Sequence, residues 1–145
     1  MIFSKACEYA IRATIYVALQ SMKNRRTNLK DISSEIRSPE AYTAKILQDL
    51  ARNNIIRSVK GSMGGFEIDT KRMNRIMLQD IVAAIDGPFN EKICVLGLKA
   101  CSQKNPCPVH NKYKHIKHDF KAMIQNTSLY EMTTGIREGH TCLSL

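Results

Sequence analysis

The order of two short helices, a tight turn and a β-hairpin between residues 28 and 69 restricts the possible folds of this chain more than any other feature. Asn28 is suited to cap the first of these helices, whose apolar residues recur at helical spacing. Ser38, Pro39 and Glu40 then mark a new helix start, because they supply a capping hydroxyl, a proline at the first helical position and an acid in the first turn. This pattern predicts a helix-turn-helix.

The segment that follows predicts a β-hairpin. Residues Ile55–Lys60 alternate between apolar and polar side chains as a strand does, and Phe66–Asp69 can return antiparallel to them. Between them, Gly61–Gly65 contains three glycines and permits the positive φ angles of a tight turn. A hairpin directly after a helix-turn-helix predicts a winged helix, with Arg57 and Lys60 on either side of the wing tip.

Helical patterns on both sides of this motif predict a mainly α protein. Ser4 can cap a first helix that extends to about residue 22 and carries one apolar stripe. Cys7 lies on that stripe and is interpreted as a buried structural thiol. Three helices and the hairpin wing then form a winged helix-turn-helix DNA-binding domain at residues 1–72.

The second half, residues 73–145, combines a loop with further helices. One helix begins near Met77 and ends at Asp86-Gly87-Pro88, the expected order of helix-ending residues. A long amphipathic helix of about 17 residues begins near Val109, and Ser128 marks a short last helix. The narrow apolar seam of the long helix suits packing on its own domain or on a second copy of the chain, and we expect a dimerisation helix.

The net charge of +9 and the pI of about 9.5 favour a polyanionic partner, of which nucleic acid is the most common. A helix-turn-helix directs the N-terminal end of its second helix into the major groove of double-stranded DNA, and a wing contacts the backbone. The candidate contacts are the polar residues at the start of that helix and the basic residues of the wing: Ser38, Glu40, Tyr42, Thr43, Lys45, Arg57 and Lys60. The wing residues could equally be charges that guard a hairpin edge.

Cys94, Cys101, Cys107 and His110 place four metal-binding donors in the loop before the long helix. No apolar run reaches the ~20 residues of a membrane span, and charged residues near the N-terminus argue against a signal peptide, so a cytoplasmic location is expected. Thiols stay reduced there, and clustered cysteines are more often metal ligands than disulfides. Thiolate-rich sets with a histidine hold either an iron–sulfur cluster or zinc.

Three functions are compatible with this loop. An iron–sulfur cluster would make it a sensor, because one non-cysteine ligand makes a cluster more labile than four thiolates would. A closed site of three cysteines and one histidine would instead make the chain a zinc-stabilised RNA-binding or adaptor module. The thiols could also act as redox groups without a metal. An enzyme is not expected, because no nucleophile with a base, no carboxylate pair and no phosphate-binding loop is evident.

Taken together, these segments resemble the bacterial winged-helix regulators that include the iron–sulfur cluster regulator IscR and the nitric-oxide-sensitive repressor NsrR. The resemblance covers nearly the whole chain and depends on the order and spacing of its motifs. Its carriers are Ser4–Ala13 in the first helix, Asp31-Ile32, Tyr42 with Lys45-Ile46-Leu47 and Leu50, Val59–Phe66 in the wing, Leu78–Pro88, and the set Cys94, Cys101, Cys107 and His110.

The resemblance implies a homodimeric transcription factor on a palindromic DNA operator, and we expect a repressor. It implies an iron–sulfur cluster on the three cysteines, expected to be 2Fe–2S rather than 4Fe–4S, whose state responds to iron–sulfur status, nitric oxide or redox and sets operator affinity. His110 matches the fourth ligand of IscR-like members, and Glu8 matches an acidic residue of the first helix that fills this role in others. Six residues separate Cys94 from Cys101, where IscR-like members have five, and this departure bears on the cluster type.

Overall fold

Helix α1 (Lys5–Met22) lies at the centre of the core in the computed structural model, which describes residues 2–144. Ser4 caps it as predicted, since its Oγ accepts a hydrogen bond of 3.1 Å from the Cys7 amide. The inward face of α1 consists of small and β-branched side chains, so neighbouring helices pack closely against it. Its fully buried residues are Cys7, Ala10, Ala13, Thr14, Val17 and Ala18.

The predicted helix-turn-helix is formed by α2 (Leu29–Glu35) and α3 (Glu40–Arg52). Asn28 caps α2 as predicted, because its Oδ1 accepts a 2.9 Å hydrogen bond from the Asp31 amide.

The start of α3 differs from the prediction. Pro39, not Ser38, is the N-terminal cap residue of α3, and no side chain caps this end. The Ser38 hydroxyl is buried and has no hydrogen-bond partner among residues 2–144. The backbone amide of Ser38 donates to Ser33 O at 2.9 Å, so this residue closes the turn after α2 instead of opening α3.

The wing consists of β1 (Arg57–Val59) and β2 (Gly65–Glu67), paired antiparallel with Ser58 opposite Phe66. Both strands are shorter than predicted. Ile55 and Ile56 before β1, and Ile68 after β2, are buried in the core instead of extending the hairpin. On its other side β2 is bonded to Thr27, whose amide and carbonyl exchange hydrogen bonds of 3.1 and 2.8 Å with Phe66. A Cβ atom at Gly65 would come within 2.8 Å of Thr27 O, so this close approach requires glycine.

The second half contains a short 3₁₀ turn (Thr70–Arg72) and helices α4 (Leu78–Asp86), α5 (His110–Asn126) and α6 (Leu129–Arg137). Gly87, with φ of +82°, ends α4 as predicted. Helix α6 returns to pack on α1, so the core is continuous across residue 72. The division at residue 72 therefore stays a prediction about function rather than about separate cores.

Helix α5 has the predicted length of 17 residues but contributes little to this core. Ile124 is its one buried residue, whereas Ile116 and Met123 are exposed. Within residues 2–144, no helix combines the length and apolar character that a membrane span requires.

Candidate metal centre and nucleic-acid interface

The three loop cysteines meet at one point between α4 and α5. The Sγ atoms of Cys94, Cys101 and Cys107 all lie within 4.8 Å of one another, and all three residues are half-buried. Short turns bring them together: the Gly97 amide donates to Cys94 O at 2.9 Å, and the His110 amide donates to Cys107 O at 3.0 Å. The loop from Gly87 to Val109, which is 23 residues long, is thus folded back on itself without regular secondary structure.

His110 lies beside this thiol cluster, as the sequence predicted. It is the first residue of α5, and its Nδ1 atom is 3.1 Å from Cys101 Sγ. Cys94 Sγ and Cys107 Sγ form the other close pair, at 3.7 Å. That separation is close to the edge of a tetrahedron with metal–sulfur bonds of about 2.3 Å, which is about 3.8 Å. The donor set therefore fits an iron–sulfur centre or zinc in both chemistry and spacing.

The backbone around Cys94 favours the thiolate form that binds metals. Hydrogen bonds from the Leu98 and Leu96 amides lower the pKa of the Cys94 thiol to about 7. Cys7 shows the opposite behaviour, because burial in the core, with Asp86 nearby, raises the pKa of its thiol to about 12. The Cys94 thiol is thus suited to metal binding, while burial and the neighbouring thiols of Cys107 and Cys94 raise the pKa of Cys101 in the metal-free protein. Cys7 is the buried structural thiol that its helical position predicted.

The alternative ligand Glu8 is not brought to the thiols within one chain. Among residues 2–144, the group of mutually close metal-binding donors contains the three cysteines and no carboxylate. Glu8 instead pairs with Lys5 on α1 at 3.1 Å.

Two lysines of α5 hold the start of the loop. Lys117 Nζ donates to the carbonyl of Glu91 and, at 3.2 Å, to that of Ile93, while Lys121 forms an ion pair with the Glu91 carboxylate. The amphipathic pattern of the long helix gave no indication of this role. A cavity of about 580 Å³ next to the thiols leaves room for a metal centre.

The loop itself is apolar but exposed. Four large side chains in it remain largely open to solvent: Ile93, Val95, Leu96 and Leu98. Two of them, Ile93 and Val95, line one groove together with exposed Ile116 of α5 and with Phe3 and Phe120. Contiguous apolar surface of this kind marks an interaction site.

Of the five residues near the start of α3 that were predicted to contact DNA, three are exposed. Glu40, Tyr42 and Lys45 are exposed, and Tyr42 packs edge-on against Tyr9 of α1 with ring centroids 5.9 Å apart. In the wing, Arg57 and Lys60 are both exposed. These five side chains lie where a DNA duplex could reach them.

Thr43 and Ser38 are corrections to the predicted set. Thr43 is 0% exposed, and its Oγ1 donates a 2.9 Å hydrogen bond to Pro39 O inside the first turn of α3. Ser38 Oγ is also buried. Burial therefore keeps both hydroxyl groups from contact with DNA.

Arg57 is less free than its exposure suggests. Glu67 accepts hydrogen bonds from Arg57 and, at 2.8 Å, from Arg26 Nε, so one carboxylate lies between two guanidinium groups. The Arg57 and Arg26 side chains hold the pKa of Glu67 below its usual range. Arg26 also donates to Met63 O at 3.1 Å and thereby ties the wing tip to the loop after α1. The basic run Lys23–Arg26 was the only sequence signal for this contact.

Known proteins resemble this chain along almost its full length. The Rrf2 family, described as iron-dependent transcriptional regulators, matches residues 3–135. A protein of Aquifex aeolicus assigned to the HTH-type transcriptional regulators is 30% identical over 142 residues, which are 97% of this chain and 96% of the relative. The HTH-type transcriptional regulator IscR of Yersinia pseudotuberculosis is 26% identical over 124 residues, or 86% of this chain and 74% of that protein.

Solved structures show the same fold. CymR, the global cysteine regulator of B. subtilis, superimposes with a TM-score of 0.74 at 19% identity, covering 92% of this chain and 97% of its own. T. potens IscR superimposes with a TM-score of 0.73 at 17% identity, covering 99% and 94%. Both comparisons confirm the winged-helix architecture with its additional helices.

Proposed function

Because the chain belongs to the Rrf2 family of iron-dependent transcriptional regulators, we propose that its loop holds an iron–sulfur cluster whose state controls binding to a DNA operator. Members of this family are transcriptional regulators and not enzymes, so DNA binding is the output that the loop must influence. One observation carries the proposal: three thiols within 4.8 Å of one another, with His110 beside them, stand in the same chain as a winged helix.

The proposed ligands are Cys94, Cys101, Cys107 and His110. Their donor atoms fall into two close pairs, Cys94 with Cys107 and Cys101 with His110, and we propose one pair for each iron of a 2Fe–2S cluster. Binding would move the two pairs apart, because all three Sγ atoms lie within 4.8 Å of one another. Such a cluster supplies a group that can be lost, oxidised or nitrosylated. Exposed apolar side chains in the loop support this sensing role, because a loop that is not packed in the core can change its order when its ligand is lost.

The proposed operator contacts are the exposed residues of α3 and of the wing. Tyr42 and Lys45 would bind at the major groove, and Glu40 would accept from a cytosine amino group or repel other sequences. Lys60 would bind a phosphate of the backbone. Arg57 contributes less net charge than Lys60, because Glu67 already pairs with its guanidinium.

A second copy of the chain is the proposed occupant of the exposed seam on α5. Ile116 is 60% exposed and lines a groove with the loop residues Ile93 and Val95, and Met123, 47% exposed, follows it two helical turns later. Pairing two copies along α5 buries this surface and presents two winged helices, so a two-fold-symmetric dimer predicts a palindromic operator. The partner's cluster loop would then lie near α1, which is where a Glu8 contribution would arise.

Two separate aromatic contacts join the start and the middle of α1 to the two ends of this proposal. Phe120 of α5 packs on Phe3 at 5.6 Å, just before α1 begins, and Tyr9 of α1 packs on Tyr42 of α3. A movement of α5 or of the loop can therefore be transmitted through α1 to α3, the reading helix proposed to enter the major groove. A tenfold change in operator affinity requires a difference of about 1.4 kcal/mol between the two states.

The test begins with protein purified without oxygen. We expect visible absorption, iron and sulfide, and an operator affinity that changes at least about tenfold when the cluster is removed. The DNA probe is the duplex that the protein selects from a randomised pool. Transcription in vitro from a promoter that carries this duplex is expected to fall when the protein is added, as a repressor requires.

Two cysteine variants provide the matched comparison. Cys101→Ala is expected to lose both the cluster and the change in affinity, whereas Cys142→Ala is expected to keep both, because Cys142 is an exposed thiol outside the thiol cluster. A colourless protein with one zinc per chain would contradict the proposal. So would a Cys101→Ala protein that binds and responds as the wild type does.

Zinc is the second candidate for this site. The 3.7 Å separation of Cys94 and Cys107 matches two ligands of a single tetrahedral ion as well as two ligands of one iron. Metal analysis of the same protein distinguishes the two. The RNA-binding alternative loses its support, since the family regulates transcription.

A further inference from the structure

The turn between α2 and α3 contains a strained arginine. Arg37 has a φ of +53°, in the left-handed region that glycine occupies freely and that residues with a Cβ atom disfavour. The other non-glycine residues with positive φ in residues 2–144 are Asn24 and Asn54, and asparagine tolerates this region better than most residues. Arg37 thus stands where the local backbone favours glycine or asparagine.

The backbone of the turn offsets this strain, because the amides of Arg37 and Ser38 donate to Ser34 O and Ser33 O and close the end of α2, but the Arg37 side chain takes no part in these bonds. The Arg37 side chain is exposed, and no carboxylate in residues 2–144 forms an ion pair with it. The Arg37 amide donates to Ser34 O at 3.2 Å, but glycine would make the same bond. Arg57 and Arg52, in contrast, each pair with an acidic neighbour. The turn therefore does not require an arginine side chain, which stays available to a partner outside the fold.

The position of Arg37 indicates which function. It lies three residues before Glu40, the first residue of α3, at the end of the helix that enters the major groove in a helix-turn-helix. A guanidinium beside that end faces the phosphates that line the groove, and arginine binds phosphate oxygens through two parallel hydrogen bonds. We infer that Arg37 is an additional DNA-contact residue that binds a backbone phosphate beside the reading helix. This inference rests on the proposed operator-binding face.

The test uses the opposite effects of one substitution on stability and on binding. Arg37→Gly removes both the strain and the charge, so we expect a Tm at least as high as that of the wild type, by up to ~3 °C. We expect operator affinity to fall about fivefold to tenfold and the salt slope of binding to decrease by about one. Arg37→Lys keeps the charge and the strain, so its salt slope is expected to equal that of the wild type.

Asn54→Gly is the matched control. Asn54 also has positive φ, at +58°, but it follows the C-terminal end of α3, whose 13 residues separate it from the start of the helix by about 20 Å. This variant is expected to keep wild-type affinity and salt slope for the selected duplex.

Two outcomes would overturn the inference. One is an Arg37→Gly protein with wild-type affinity and salt slope, and the other is an equal loss of salt slope in Asn54→Gly. A wild-type protein that selects no duplex from the randomised pool would instead contradict the proposed function, and the phosphate contact with it.

Discussion

Cys7 and the three loop cysteines place the same functional group in opposite environments. Cys7 is fully buried on α1 and lies among side chains of α4 and α5, where burial raises the pKa of its thiol to about 12. Cys94 lies in a loop whose backbone amides lower the pKa of its thiol to about 7. The comparison shows that packing makes a cysteine inert, whereas an irregular loop leaves cysteines available to a ligand.

The two regions also differ in what holds them in place. The winged helix-turn-helix depends on a continuous hydrophobic core that includes α1, α3 and α6. The loop depends on contacts from α5, chiefly those of Lys117 and Lys121, and its large apolar residues remain exposed. A bound ligand can therefore alter the order of the loop without unfolding the DNA-reading half.

The largest expected difference between the regions is in thiol reactivity. In metal-free protein at pH 7, about half of Cys94 is thiolate but only about 10⁻⁵ of Cys7, so iodoacetamide should modify Cys94 at least about 10⁴-fold faster. Because the pKa of Cys94 is lowered, its reactive form is present above pH 7 and its modification slows as the pH falls below 7. Peptide mass spectrometry measures both rates. Modification of Cys7 in the folded protein at the rate of Cys94 would contradict the comparison.

The next difference is in stability, and one substitution tests it at two positions. Leu47→Ala in the core of α3, where the side chain is 0% exposed, should reduce the free energy of unfolding by about 3 kcal/mol. Leu98→Ala in the loop, where the side chain is 49% exposed, should change it by at most about 0.5 kcal/mol in metal-free protein. Urea denaturation followed by circular dichroism gives both values. Equal losses would mean that the loop belongs to the core.

A smaller effect should separate two lysines on α5. Lys117→Ala removes the hydrogen bonds to the loop carbonyls, so Co²⁺ affinity in metal-free protein should fall about tenfold, the lower end of the range for residues that orient metal ligands. Lys112→Ala is the control, because Lys112 is exposed on the same helix. Titration of the Co²⁺–thiolate absorption band measures both. An equal fall in the two variants would reduce the role of Lys117 to that of a general positive charge.

The smallest effect concerns the aromatic link between α1 and α3. Tyr9→Leu removes the edge-on contact with Tyr42, so operator affinity should fall by about threefold to tenfold, which corresponds to the 0.5–1.5 kcal/mol of an aromatic pair. Metal binding should stay unchanged, because Tyr9 does not line the thiol cavity. Fluorescence anisotropy with the selected duplex detects the change. Wild-type affinity in this variant would remove α1 from the proposed route between the loop and the reading helix.

The local features of the fold were predictable because each depends on neighbours in the sequence. Ser4 and Asn28 cap α1 and α2 by bonding amides three residues ahead, and Gly87 ends α4 through its own φ angle. The start of α3 was predicted wrongly at Ser38, since the turn after α2 places that hydroxyl inside the protein. The register of packing, which local propensity does not contain, decided this point.

The candidate metal site was predictable for a similar reason, and the interface only in part. Four donors within 17 residues of chain can meet whatever the rest of the fold does, so spacing identified Cys94, Cys101, Cys107 and His110. Thr43 looked like a surface residue of α3, but its rotational position on the helix buries it.

The sequence by itself determined the helices, the wing, the thiol loop and the family resemblance, because caps, glycines, periodicity and cysteine spacing act over a few residues. The tertiary structure alone decided that Glu67 lies between Arg26 and Arg57, that Lys117 holds the start of the loop, and which faces of α3 and α5 remain exposed. These contacts join residues 10 to 41 positions apart. Side chains so distant in the chain become neighbours only when the helices pack, and the packing follows from the burial of the whole apolar surface at once.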